Sequence, residues 1–259
     1  MNSQRLSELR QQAPLIHHLT NLVTINDVAN VTLAIGARPV MALDPEEAPE
    51  IAGLAGAVVL NLGTPSRDLA RAATLAARAA RGPVILDPVG AGATPFRTQL
   101  ILEVAQTAHP AIIRANPGEI AGLLGERGAV SGVDSQRQVS ELTGAARELA
   151  QSLGTVVAMT GPEDYVTDGE RSYWITNGDP LLKSITGTGC MATACVGAFA
   201  ALAIDPLEAA TVGLAAFGLA AEWAAGVASG PGSFKVALLD SVAALTPEVF
   251  DQGARIRPA

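Results

Sequence analysis

The residues best placed to do chemistry are Thr186-Gly187-Thr188-Gly189-Cys190, which open a run of small apolar residues from Met191 to Ala203. The run predicts a buried helix. Two glycines at its start leave the first amide N–H groups unobstructed. Those unpaired donors and the positive end of the helix dipole form an anion site. Cys190 falls in the first turn, where the same field favours a thiolate and predicts a depressed thiol pKa. A cradle for a migrating negative group beside a candidate proton acceptor is the pattern of a phosphoryl-transfer site. The plain alternative makes Cys190 a small core residue, as Cys195 is read to be.

Other polar groups stand where apolar runs stop. Asp87 closes Gly82 to Leu86 and leads into Pro88-Val89-Gly90-Ala91-Gly92-Ala93. A carboxylate on such a loop could hold hydrated Mg²⁺ or simply bond its own turn. Arg114 ends Ala111-Ile112-Ile113 without an obvious local partner, and a phosphate would supply one. Glu119, in Asn116-Pro117-Gly118-Glu119, is either a helix-dipole complement or a second metal-organising carboxylate. Thr160-Gly161 ends Thr155 to Met159, as an ordinary turn or as a hydroxyl and backbone that approach a ligand. A carboxylate pair, a phosphate-reading arginine, an anion hole and a base are the parts of a kinase, because phosphoryl transfer depends on positioning and charge neutralisation. Rossmann and P-loop fingerprints are absent. His17 and His18 are adjacent on a strand and face opposite ways, which argues against zinc. Met41 reads most simply as the end of a core strand.

The elements that must position these residues follow from apolar spacing. Helices are predicted over 3–12, 26–35 (stopped by Gly36), from Asp44-Pro45-Glu46-Glu47, from Thr64-Pro65 to about Ala80, around Glu103, over 116–124 and through Val139, Leu142 and Leu149. Strands are predicted over 15–19, 39–42, 57–62, 82–86, 111–113 and 155–159, several of them nearly continuous apolar runs. A hairpin follows over 164–167 and 171–176, and beyond Gly187 the chain is read as nearly all helical, over 206–227 and 233–245. Strand and helix alternate with short loops, which predicts one α/β domain over 1–259 with a doubly wound, mainly parallel sheet and ligands at the carboxyl ends of its strands.

The totals exclude several classes. The 259 residues carry a net charge of −8 and no basic run, which argues against nucleic acid and anionic membranes as partners. No apolar stretch reads as membrane-spanning, the N-terminus has no apolar signal core, and the two cysteines form no zinc or disulfide pattern. A cytoplasmic location is expected.

The chain resembles the hydroxyethylthiazole kinases, ribokinase-like enzymes of thiamine salvage, over almost its whole length. The resemblance is carried by Pro14-Leu15-Ile16-His17, Thr20-Asn21, Gly36 to Ala42, Leu60-Asn61-Leu62-Gly63-Thr64, Asp87 to Arg97, Asn116 to Glu119, Gly187 to Cys190 and Gly230 to Phe234. The Gly-x-Gly-Cys element is shared with pyrimidine kinases; the Asp87–Arg97 run and the N-terminal block are more specific. The resemblance implies a ribokinase-like three-layer α/β sandwich around a mostly parallel sheet. It also implies transfer of a phosphoryl group from ATP to the alcohol of 4-methyl-5-(2-hydroxyethyl)thiazole. Met41 and Gly187 would contact the thiazole, and Arg114 and Thr160 the nucleotide. Asp87 and Glu119 would organise Mg²⁺, and Cys190 would stand where many superfamily relatives carry an aspartate base. A homotrimer with the thiazole pocket at the subunit boundary is implied as well. Leu22, Asp27 and Pro117-Gly118 depart from the family pattern. A pyrimidine-alcohol kinase, a nucleotide-dependent dehydratase on the same fold and a silent sensor remain as alternatives.

Overall fold

The computed structural model describes residues 2–125, 130–131, 134–135 and 138–259. The chain runs α1 (Arg5–Gln12), β1 (Leu15–Leu19), α2 (Ile25–Ile35), β2 (Arg38–Val40), α3 (Ala48–Leu54), β3 (Ala57–Asn61), α4 (Arg67–Ala79), β4 (Val84–Asp87), α5 (Pro95–Ala108), β5 (Ile112–Ala115) and α6 (Pro117–Leu123). A two-residue ladder follows, β6 (Val130–Ser131) with β7 (Asp134–Ser135). Then come α7 (Thr143–Leu153), β8 (Val156–Met159), β9 (Asp164–Thr167), β10 (Ser172–Ile175), α8 (Thr188–Ala200), α9 (Pro206–Val227), α10 (Pro231–Ala244), α11 (Pro247–Gly253) and β11 (Ile256–Pro258).

The main sheet has nine strands in the order β11-β10-β9-β8-β5-β4-β3-β1-β2. From β2 to β8 the pairings are parallel, and β9, β10 and β11 continue the sheet antiparallel. Apolar runs make the central strands because both sheet faces are covered. Val58 and Val59 are neighbours in β3, yet they join opposite cores, as the two-residue period of a strand requires. One core packs β1, β3 and β4 against α1, α2, α8, α9 and α10; the other packs the same sheet against α3, α4, α5 and α7. This is the three-layer α/β sandwich expected. The longest helix, α9, has the length and apolar character of a membrane span, but 72% of that window is buried within the protein. It is a core helix of this fold.

Several boundaries differ from the sequence reading for local reasons. Asp44 does not open a helix; its side chain accepts from the Glu46 amide at 2.8 Å and closes a turn, and α3 starts at Ala48. Ser66, not Thr64, caps α4 by accepting from the Leu69 amide, while the Thr64 hydroxyl accepts from the Leu22 amide. The helix read through Val139 splits into a 3₁₀ turn over Val139–Glu141 and α7. Residues 126–129, 132–133 and 136–137 lie outside the described residues.

The sequence reading makes the chain beyond Gly187 nearly all helical and names no strand there; in the structure β11 adds an edge strand with Trp174 opposite Arg257. It is tied down by Asn177, which is 5% exposed. Its amide donates to the Gly253 carbonyl at 2.9 Å and accepts from the Arg255 amide at 2.6 Å. Glu222 of α9 completes the tie by accepting from Asn177, the Gly178 amide and Arg255. Asn177→Ala removes the side-chain partner of both part-buried backbone groups. We expect it to destabilise the protein by about 2–3 kcal/mol and to lower the thermal midpoint by about 4–10 °C, measured by circular dichroism.

Candidate active site

β3, β4, β5 and β8 end side by side, so their last residues share one edge of the sheet. Asn61 lies opposite Asp87, and Arg114 and Ala115 lie opposite Ala158 and Met159. Above this edge sits a cleft of about 670 Å³ lined by Arg114, Glu119, Thr160, Gly187 and Cys190, among others. Asp87 lies beneath it, fully buried. Met41 does not line the cleft. It follows β2, half-buried against the α2–α8 core. The structure therefore brings together six of the seven residues singled out from sequence and leaves Met41 apart within this chain.

Asp87 is held on one side only. Its Oδ2 accepts from Asn61 Nδ2 and from Thr193 Oγ1, each at 2.8 Å. Its Oδ1 has no hydrogen-bond partner among the described residues and faces Arg114 Nη1 at 3.9 Å. Arg114 is not partnerless, as the sequence suggested, because its Nη2 donates to the Thr160 hydroxyl. Its Nε is buried and unpaired. Glu119 takes the helix-start role weighed for it. It closes a capping box with Asn116 at the start of α6, and its Oε1 accepts from the Gly90 amide at 2.9 Å. One carboxylate thereby fixes both the helix start and the glycine-rich loop after Asp87.

Burial raises the Asp87 pKa, and Arg114, Thr193 and Asn61 only partly offset it. Burial and then the Asp87 charge push Glu119 up to about 7. The two buried carboxylates share the Arg114 guanidinium, and the partly buried Arg97 also interacts with the Glu119 charge, yet both carboxyl groups stay above their ordinary pKa. An orphaned carboxylate oxygen beside a second carboxylate suits a hard divalent cation, directly or through water. Among the described residues there is no group of three His, Cys, Asp or Glu side chains that would enclose a metal outright.

α8 begins at the cleft as predicted. Gly187 caps it with φ +88°, and a Cβ there would meet Thr24 Cγ2 at 2.4 Å. A Cβ at Gly189 would meet Arg114 Nη1 at 2.6 Å, so the glycine lets the guanidinium lie against the helix start. The expectation of a depressed Cys190 pKa is overturned. Burial and then the charge of Asp87 raise it above the usual thiol value, and the Thr24 and Asn61 hydrogen bonds and the Arg114 charge do not compensate. The Sγ lies 3.2 Å from Asn61 Nδ2 and 3.4 Å from Asn21 Nδ2. The thiol is the neutral form at neutral pH.

The family model described as the hydroxyethylthiazole kinase family matches residues 6–248. The chain belongs to the hydroxyethylthiazole kinase family. A hydroxyethylthiazole kinase of Roseiflexus sp. strain RS-1 is 53% identical over 97% of this chain and 94% of its own length. One of Moorella thermoacetica is 48% identical over 98% and 96%. The solved hydroxyethylthiazole kinase of Pyrococcus horikoshii OT3 superposes with a TM-score of 0.91 at 41% identity, covering 99% of this chain and 98% of that one. The pyridoxal kinase of Staphylococcus aureus, solved with ADP, shares the fold at a TM-score of 0.63 and 15% identity over 80% of this chain. The likeness to the pyridoxal kinase is one of fold.

Sequence reasoning gave no role to Asn21, Asn61, Thr193 or Asp164 of this kinase family site. The first two stand in the matched motifs, where only their identity was visible. Thr193 lies inside the apolar α8 run and was hidden by it. Asp164 starts β9, and its Oδ1 accepts from the Gly161 amide at 3.0 Å; burial pushes its pKa up to about 7.

The carboxylate shifts set a pH dependence for the ligand-free protein. The folded Glu119 pKa of about 7 lies above its ordinary 4.5. Folded protein then binds more protons than unfolded chain between those values, so this contribution is complete below about pH 4.5 and is lost as pH rises through about 7. We expect urea unfolding to show a loss on the order of 1–3 kcal/mol across that window. Glu119→Gln should remove part of it, leaving the contributions of Asp164, whose folded pKa is also about 7, and of Asp87, both of the same sign.

Proposed function

We propose that the protein transfers the γ-phosphoryl group of ATP to the primary alcohol of 4-methyl-5-(2-hydroxyethyl)thiazole, a step of thiamine salvage. Family membership supports the substrate. The observation that carries the chemistry is the meeting of the Gly187–Cys190 helix start with Arg114, Thr160 and Glu119 at one cleft, above buried Asp87.

The α8 amides receive the migrating phosphoryl oxygens, and the Arg114 guanidinium neutralises charge that spreads as the bond loosens. Thr160 fixes that guanidinium in orientation. Asp87 and Glu119 would hold Mg²⁺, which supplies charge neutralisation on the phosphates. Cys190 orients the alcohol. Its neutral thiol fits a loose transition state, in which the alcohol proton leaves late and a strong base adds little. Gly187 and Met41 bound the thiazole in this reading.

The reading extends to a cytoplasmic homotrimer with one kinase domain per chain, in which a neighbouring subunit closes the thiazole pocket. Two features support it. Leu22 and Val23 follow β1 beside the cleft and are 71% and 64% exposed. Met41, the expected thiazole contact, lies outside the cleft of its own chain.

ATP consumption by purified protein with Mg²⁺ tests the function. Turnover is expected with hydroxyethylthiazole, with a phosphorylated thiazole in the mass spectrum. Turnover only on hydroxymethylpyrimidine would move the chain to the neighbouring kinase class. Cys190→Ser is expected to lower kcat about 10- to 100-fold without abolishing it. A folded, ATP-binding but dead variant would make the thiol an essential base.

A further inference from the structure

Asn61 is the one side chain, among the described residues, that hydrogen-bonds both the buried carboxylate and the thiol. It ends β3 in register with Asp87 and is 1% exposed. The orientation of its amide is fixed by a neighbour that can only donate: the Gly63 backbone N–H reaches Oδ1 at 3.0 Å. Asn21 Nδ2 donates to the same oxygen at 3.0 Å. Nδ2 therefore turns its two hydrogens to Asp87 Oδ2 at 2.8 Å and Cys190 Sγ at 3.2 Å. Both acceptor positions and both donors of the amide are in use. Asn21 Nδ2 also approaches Sγ at 3.4 Å, so two amides point at one sulfur.

A sulfur that merely filled space would need no such partners. A single nitrogen joined to both groups sets their separation, and its own place is set by the backbone of Gly63. We propose that Asn61 is a positioning residue for phosphoryl transfer. It holds the Cys190 sulfur and the Asp87 carboxylate at one spacing and, with Asn21, turns the thiol hydrogen away from both amides. This deepens the kinase reading above and rests on it. Asn61 acts through Cys190 and Asp87 and does not itself line the cleft.

The test is a double-mutant cycle with a labelling assay beside it. Asn61→Ala is measured alone and with Cys190→Ser, for kcat, for KM of ATP and of hydroxyethylthiazole, and for thermal unfolding. We expect kcat to fall by about tenfold or more while KM for ATP moves less than about threefold. The loss should be at least about threefold smaller in the Cys190→Ser background. Asn61→Ser, which keeps one donor, should restore part of the rate and decides the case by the same criteria if the alanine variant does not fold. A kcat within about twofold of wild type, or Asn61 and Cys190 factors that simply multiply, would overturn the proposal. Iodoacetamide labelling of Cys190 at one pH, read by mass spectrometry, needs no turnover. Cys195 is fully buried, and Cys190→Ser reports any background. Release of the sulfur from Asn61 should change its labelling rate by about threefold or more, and an unchanged rate counts against the proposal. Wild-type protein that fails to turn over the thiazole would instead overturn the functional reading, with the labelling result still deciding whether Asn61 holds the sulfur.

Discussion

The site depends on an unbalanced buried charge. Asp87 and Glu119 are both removed from water, and Arg114 is the cation they share. A buried carboxylate is tolerated only when hydrogen bonds and opposite charge replace its hydration. Glu119 meets that condition with the amides of Gly90 and Asn116. Asp87 meets it on one oxygen and leaves the other bare. Burial raises both pKa values for that reason, and in the proposed function ATP·Mg²⁺ would bring a cation to the pair.

The surrounding elements are arranged to hold this deficit in place. β3, β4 and β5 supply Asn61, Asp87 and Arg114 from strand ends that parallel pairing forces into line. α8 serves two purposes with one sequence. Its start presents free amides to the cleft, while Met191, Ala194, Val196, Ala198 and Phe199 are buried in the core beyond. Small side chains let the helix lie close over the sheet, which brings Thr193 within 2.8 Å of Asp87. Core packing and site geometry are here the same constraint, so a change in the middle of α8 would be felt at the carboxylate.

The legible part of the chain was the part governed by local patterns. β1 and α9 fall on the residues their apolar spacing marks, and Asp87 and Arg114 stand at strand ends because continuous apolar runs stop there. Helix starts were less readable where several caps competed: Asp44 and Thr64 are sound caps by type, yet a turn and a loop contact claim them. β11 is three residues long and exists through its pairing with β10, so no local signal announces it. The thiol of Cys190 was misjudged for the same reason. The helix-end argument is local, whereas burial and the charge of Asp87 arrive from the strand packed beneath.

A neutral thiol at the head of α8 also makes electrostatic sense of the cysteine. The family resemblance implies an aspartate in many superfamily relatives at the position of Cys190. An aspartate here would add a further carboxylate to Asp87, Glu119 and Asp164, all of which already feel the Arg114 charge. Each further ionised group in a low-dielectric site costs more than the last, because like charges add repulsion to desolvation. The thiol adds no charge in the resting enzyme. It is polar enough to receive the Asn21 and Asn61 amides and polarisable enough to lie against an alcohol. What is given up is basicity, and phosphoryl transfer asks little of it: the barrier is set by charge on the migrating group, which the α8 amides and Arg114 would address in the proposed mechanism.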